Sequence, residues 1–287
     1  MNIEKKTAIE KKKRTLLASQ FLVSALLVAF STSVMSGAWV PGIGSGYSKL
    51  AFFQYNADDF FGDDTAVVDF SGRNISYYGE YGFAESFAVY GSLLYQDLEQ
   101  INSAGDEAQS TGFGDTELGV RYQWQAEPFV LSTSFLAKLP YLYDKYDSLP
   151  RGSGETDYEM RILLGRSLNK LGYVGLEAGY RLRNGSSSDE YRYLFEYGFS
   201  VNPHLYLRTK MDMTSSVDKS NATDINGNLS ISSGFDLIKI ELTAGWVFGN
   251  TKSSNSQWGV EVTYRQDLAG DNALKGDSIE LGLTTVF

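Results

Sequence analysis

Apolar and polar residues alternate along most of this chain. In Thr111–Trp124 (TGFGDTELGVRYQW), Leu118, Val120, Tyr122 and Trp124 share one parity, while Asp115, Glu117, Gly119, Arg121 and Gln123 share the other. A strict period of two marks a β-strand, because successive side chains leave the sheet on opposite faces. The pattern predicts about twelve strands, at 46–56, 73–83, 86–97, 112–125, 129–140, 156–168, 172–184, 190–201, 204–214, 237–249, 257–267 and 278–287. Short connections (FAESF 83–87, QAEPF 125–129, LNKLG 168–172, VNPH 201–204) alternate with long polar ones (57–72, 98–110, 141–155, 183–189, 214–236). Residues 225–233 (INGNLSISS) also alternate, but a thirteenth strand would put the two termini on opposite sides. They are therefore assigned to the fifth long loop, as an extension above the membrane, and 250–256 becomes a turn on the short side.

The apolar parities carry no charge through Tyr158–Leu164, Val174–Leu182, Tyr191–Phe199, Ile238–Phe248 and Trp258–Tyr264, and aromatics crowd them. Arg166 shares the apolar parity of its strand but sits near a turn, where its head can reach an interface. The opposite parities hold charges of both signs. Asp115, Glu117, Arg121, Lys138, Glu159, Arg161, Glu177, Arg181, Arg192, Glu196, Arg208, Lys210, Lys239, Glu241, Glu261 and Arg265 are the candidate lumen-lining residues. Glu80, Asp157, Arg183, Asp212 and Glu280 share that face, giving eleven acids against ten bases. Greasy residues on one face and mixed charges on the other describe a wall between lipid and a polar interior. The expected fold is all-β, an antiparallel transmembrane β-barrel of about twelve strands, with tight periplasmic turns and longer outer loops. The chain ends in Phe287 behind Thr285, Leu283, Leu281 and Ile279, a terminal strand like those by which barrel assembly machinery recognises its substrates. A water-soluble barrel or sandwich would leave that ending and the loop asymmetry without a reason.

The N-terminus reads differently. Lys5, Lys6, Lys11, Lys12, Lys13 and Arg14 precede a mostly apolar run at 15–30, then small residues ending Ser36-Gly37-Ala38. That order is a signal-peptide helix cut after Ala38. Gln20 and Ser24 within so short a run argue against an uncleaved anchor. The division is 1–38 signal peptide and 39–287 barrel, in the outer membrane, with outer-membrane lipid and lipopolysaccharide as surroundings.

Composition narrows the chemistry. The net charge of −10 argues against nucleic acid. With no Cys and one His, disulfides, thiolate catalysis and a His/Cys metal cluster are excluded. His204 falls in a short turn and no nucleophile elbow accompanies it, so no enzyme is expected and no cofactor is called for. Asp58, Asp59, Asp63 and Asp64 match no defined calcium loop. Gly112-Phe113-Gly114 opens a strand, not a helix, which removes a phosphate-cradling role. Asn221-Ala222-Thr223 fits a glycosylation sequon, a pattern common by chance.

The stretches 46–61, 75–83, 111–124, 156–168 and 175–184 together resemble the outer-membrane family associated with the meta-pathway of phenol degradation, and TGxGDxELGxRY carries most of the likeness. The resemblance covers most of the chain after the leader. It implies a barrel of about a dozen strands in a Gram-negative outer membrane and the passage of small hydrophobic or aromatic compounds. It transfers no ligand-binding residues. Two functions are therefore weighed: a passive channel for small solutes through a charged lumen, and a closed barrel with a structural or partner-docking role.

Overall fold

In the computed structural model, the described residues are 37–62, 69–101, 105–219, 224–225, 228–248 and 256–287. Residues 1–36 of the expected leader and all but Ser256 of the expected turn at 250–256 lie outside them. Among the described residues fifteen strands form, in chain order: β1 Gly46–Phe61, β2 Asp69–Ala84, β3 Phe87–Ile101, β4 Glu107–Phe113, β5 Thr116–Gln125, β6 Val130–Leu139, β7 Asp157–Ser167, β8 Tyr173–Leu182, β9 Glu190–Ser200, β10 Leu205–Ser216, β11 Asp224–Ile225, β12 Asn228–Ser232, β13 Asp236–Val247, β14 Gln257–Asp271 and β15 Ala273–Val286. β4 and β5 both pair with β3 and are two halves of one wall strand bent at Gly114-Asp115. Each wall strand pairs antiparallel with its sequence neighbour in the wall, β10 joins β13, and β1 closes on β15. The result is a closed ring of twelve strands. Closure leaves no backbone edge unpaired, the condition for spanning hydrocarbon with strands.

Following register partners once around the ring returns to β1 displaced by about 14 residues. Twelve strands with that stagger tilt by about 40° and put the backbone on a cylinder of roughly 11 Å radius. Arg and Lys side chains, roughly 6–7 Å long, thus decide how much of the bore stays free.

The faces divide as the alternation requires. Leu118, Val120, Tyr158, Met160, Ile162, Tyr193, Phe195, Leu242, Trp246, Val262, Leu281 and Leu283 stand exposed on the outside. Among charged groups, Arg121, Lys138, Asp157, Glu159, Arg181, Glu190, Glu196, Glu261 and Glu280 are buried. Water would punish that inversion; a bilayer rewards it.

Two differences from the sequence reading appear. The wall strands run longer at the loop end: Asp58–Phe61, Asp69–Gly72, Leu98–Ile101 and Leu268–Asp271 are strand, although their sequence reads as loop. Beyond the hydrocarbon both faces meet water, so the alternation fades while the ladder continues. Residues 225–233 do belong to the fifth loop; β11 and β12 pair only with each other. They do not extend above the barrel, however. They fold into its mouth, with Asn228 buried and Leu229 packed against Ala57, Phe70, Leu98 and Leu274.

Candidate channel interior

Glycine and tyrosine share the inner wall near the short-turn end. Tyr90 pairs across the ladder with Gly119, Tyr173 with Gly198, and Tyr206 with Gly245. In each pair the ring lies where a Cβ on the glycine would stand, 2.4, 2.5 and 2.1 Å from it. A glycine therefore lets a tyrosine lie flat along the next strand instead of projecting across the bore. Tyr206 donates its hydroxyl to Glu261 (2.5 Å), and Tyr173 donates to Glu196.

The charged residues meet across strands with alternating sign. Glu196, Lys210, Glu241 and Arg265 face one another in register on β9, β10, β13 and β14. Lys210 lies 3.2 Å from Glu196, and Arg265 donates to Glu241 (3.0 Å) and Glu280 (2.7 Å). Glu117, Lys138 and Asp157 form a second row on β5, β6 and β7, with Lys138 bridging Asp157 (2.7 Å) and Asp115 (3.3 Å). Glu159 holds both Arg161 and Arg181, and these reach on to Glu177 (2.9 Å) and Glu117 (3.0 Å). Arg192 and Arg183 share Glu190 at 2.6 and 2.9 Å. Arg208 joins Glu261 at 3.3 Å. Asp212 and Lys239 are register partners, both half-buried.

This network is uneven. On the β7 side Glu159 is 1% exposed, whereas Lys210, Arg265 and Glu241 on β10–β14 keep 28%, 25% and 23% of their side-chain surface. Water reaches the second group. Glu117 on β5 keeps 33%, while Glu196 on β9 and Glu261 on β14 keep 3% and 1%, so covered and partly exposed charges alternate on both sides of the bore.

Two segments occupy the ends. At the loop end, residues 140–156 between β6 and β7 cross the mouth. Leu149, with no exposed surface, packs with Ala57 of β1, Phe70 of β2, Leu98 of β3 and Leu274 of β15, on the opposite wall. Arg151 anchors the crossing: it donates to the Phe113 carbonyl (3.0 Å) and to Ser110, and pairs with Asp147. Its guanidinium lies 3.1 Å from where a Cβ on Gly112 would stand. Tyr143 donates to Asp115 (2.6 Å), and Asn228 donates to the Pro150 carbonyl (2.7 Å). Burial and the Asp115 carboxylate push the Tyr143 hydroxyl well above its ordinary range, so it remains a donor at neutral pH. Beneath this cover lies a cavity of about 260 Å³ whose lining includes Lys138, Arg151, Arg181, Arg183, Arg192 and Glu190.

At the short-turn end, residues 37–45 enter the barrel. Ala38 is fully buried against Val130 and Leu163, and the Trp39 ring meets Tyr173 edge-on at 6.0 Å. Arg121 donates to the Trp39 carbonyl (3.0 Å) and to Glu80 (2.7 Å); Gln123 accepts from the Val40 amide (3.0 Å). The bent strand β4–β5 thus anchors both closures, and its sequence is the TGFGDTELGVRYQW stretch.

With this geometry in hand, solved structures supply a comparison. The COG4313 outer membrane channel from Pseudomonas putida F1 superposes with a TM-score of 0.66 at 15% identity, covering 89% of this chain and 100% of that one. This chain has the outer-membrane barrel fold. The NanC porin aligns with a TM-score of 0.50 at 10% identity, over 82% of this chain and 98% of that one. The translocator domain of the autotransporter NalP from Neisseria meningitidis gives 0.50 at 10% identity, over 95% and 97%. At these identities the likeness concerns the fold. No protein-family profile matches the chain, and no curated protein matches it.

The sequence reading missed three inward charges: Lys49, which bridges Glu261 and Glu280 at 2.5 Å each, Glu190, and Asp267, which accepts from Tyr55 at 2.8 Å. Lys49 hides in β1 because Ala51 and Phe53 share its face and erase the polar signal. His204 stacks on Trp246 and its Nδ1 lies 3.0 Å from the Val247 carbonyl, a turn-stabilising role.

Proposed function

We propose that this protein is a passive outer-membrane channel for small solutes, sorted by size and charge along a path beside β10, β13 and β14. The observation that carries this reading is the row of Lys210, Glu241 and Arg265, each about a quarter exposed, within a cylinder belted by apolar side chains. Fixed charges lining a narrow wet path select ions by field and by size. The orientation follows the barrel rule, short turns in the periplasm and long loops outside. The surroundings are outer-membrane lipid and lipopolysaccharide, with Phe287 at the β1–β15 seam as the feature presented to the barrel assembly machinery during insertion. The resemblance to the phenol meta-pathway family supports small aromatic or hydrophobic compounds as solutes. No catalytic constellation enters this reading.

A second reading, the closed barrel that docks a partner or serves the membrane structurally, is favoured by Leu149 and Ala38, which seat closures at both ends. Single-channel recording in a planar bilayer separates the two. Charge reversal is best placed at Lys210 and Arg265, which reach water, rather than at Arg121 and Arg181, which are buried in ion pairs. Lys210→Glu with Arg265→Glu should shift ion preference toward cations. Absence of conductance in the unmodified protein and in a variant freed of its loop closure would leave the closed barrel.

A further inference from the structure

The small residues before Trp39 fit two leader-peptidase registers. One cut follows Ala38, with Ser36 at −3; the other follows Ser36, with Val34 at −3. The sequence alone favours the first. The folded barrel uses the two residues that this cut would discard. Ala38 has no exposed surface, packs on Val130 and Leu163, and accepts a hydrogen bond on its carbonyl from Ser132 Oγ at 2.5 Å. Ser132 is itself fully buried, so removing Ala38 strips an enclosed hydroxyl of that acceptor. Gly37 is fitted as closely: a Cβ there would stand 2.4 Å from Glu177 Oε1 and 3.5 Å from Leu163.

The charge created by cleavage points the same way. A cut after Ala38 would leave the Trp39 ammonium facing the space Ala38 fills, between Val130 and Leu163. A charged amine in an apolar pocket is heavily penalised. A cut after Ser36 places the ammonium on Gly37. By tetrahedral geometry that nitrogen is about 2.5 Å from the Cβ position, hence within about 5 Å of the Glu177 carboxylate. The other oxygen of Glu177 takes Arg161 at 2.9 Å.

We propose that the Ser36–Gly37 bond is the processing site. Water adds its hydroxyl to the Ser36 carbonyl carbon and its proton to the Gly37 nitrogen, and the new α-ammonium pairs with Glu177 inside the periplasmic mouth. The mature chain then begins with the segment that closes that mouth.

The protein is expressed with its leader, extracted from outer membranes, and its N-terminus is sequenced. Gly37 is the expected first residue; Trp39, or any other start, overturns the proposal. Ala38→Leu supplies a second test that does not depend on folding. If the cut follows Ala38, a leucine at −1 closes that register, and the variant either accumulates as precursor or moves its mature start from the Trp39 of the unmodified protein to Gly37. If it follows Ser36, the precursor is still processed and the mature barrel, with no room for leucine, loses its compact gel migration at a lower temperature. Accumulated precursor, or a start that moves from Trp39 to Gly37, overturns the proposal. Both readouts concern processing and stand whether or not the barrel conducts.

Discussion

Replacing Leu149 by alanine should open the outer mouth while leaving the barrel intact. Leu149 lies at the middle of the 140–156 crossing, fully buried against Ala57, Phe70, Leu98 and Leu274. Burying a leucine is worth about 1.5–3 kcal/mol, and truncating one in a rigid core costs about 2–5 kcal/mol. A loop relaxes more readily than a core, so about 2–3 kcal/mol is the working figure for docking. At roughly 1.4 kcal/mol per tenfold, the undocked population rises about 30- to 150-fold. The wall ladder is untouched, so the unfolding temperature should hold. Polar tethers from Arg151 to Phe113 and from Tyr143 to Asp115 remain, and Leu149→Ala with Arg151→Ala should raise the open fraction further. The assay is single-channel recording at fixed voltage, counting open dwell time and conductance, with gel migration showing that each variant is folded. Leu171→Ala, at an exposed position in the turn at the opposite end, is the control. Identical recordings from wild type, Leu149→Ala and the double variant, all folded, would refute the gate.

The interior gives further tests. Glu159→Gln removes the carboxylate shared by Arg161 and Arg181 and should destabilise the barrel in urea by about 1.5–3 kcal/mol, the scale of a hydrogen bond to a charged group, because Glu177 and Glu117 remain as partners; Asp59→Asn, in the exposed pair with Lys275, should change nothing measurable. Gly245→Val should drive the Tyr206 ring off the wall and into the bore, lowering conductance, since a Cβ there meets the ring at 2.1 Å. Lys219, outside the wall strands, is held by hydrogen bonds from its ammonium to Asp236 (2.5 Å) and Asp271 (2.8 Å), which raise its pKa. A raised lysine contributes stability that is complete below its unfolded value, about 10.4, and is lost as pH climbs through the folded value. Titration of the Lys219 Cε resonance should therefore show a midpoint above that of free lysine, and Asp236→Asn with Asp271→Asn should bring it back.

The wall was legible because the bilayer imposes one rule on every strand. Tyr191, Tyr193 and Phe195 had to stand on one side and Arg192 and Glu196 on the other, and the ladder obeys that parity. The same rule fails outside the hydrocarbon, which is why Asp58–Phe61 read as loop though it is strand. It fails again where an inner face is small or apolar, which hid Lys49. The two closures were not legible at all. Leu149 is one apolar residue in a polar loop, with no period to announce it. Ala38 is small, as a leader peptidase wants at −1, and the same smallness of Gly37 and Ala38 is what a crowded barrel mouth accepts.

That one strand holds both closures bears on what the distinctive TGFGDTELGVRYQW stretch is for. A wall strand needs only alternating parity, which many sequences satisfy. This one has two glycines where Arg151 and its loop press against the backbone, an aspartate that receives Tyr143 and Lys138, and an arginine and a glutamine that take the backbone of Trp39 and Val40. Apart from Lys138, and from Gly119, which makes room for Tyr90 on the wall, these are contacts with the segments lying across the bore. The stretch thus seats both closures. Substitutions at Gly112, Gly114, Asp115 or Arg121 should alter how often the channel opens more than which ion it prefers, whereas substitutions at Lys210 and Arg265 should do the reverse.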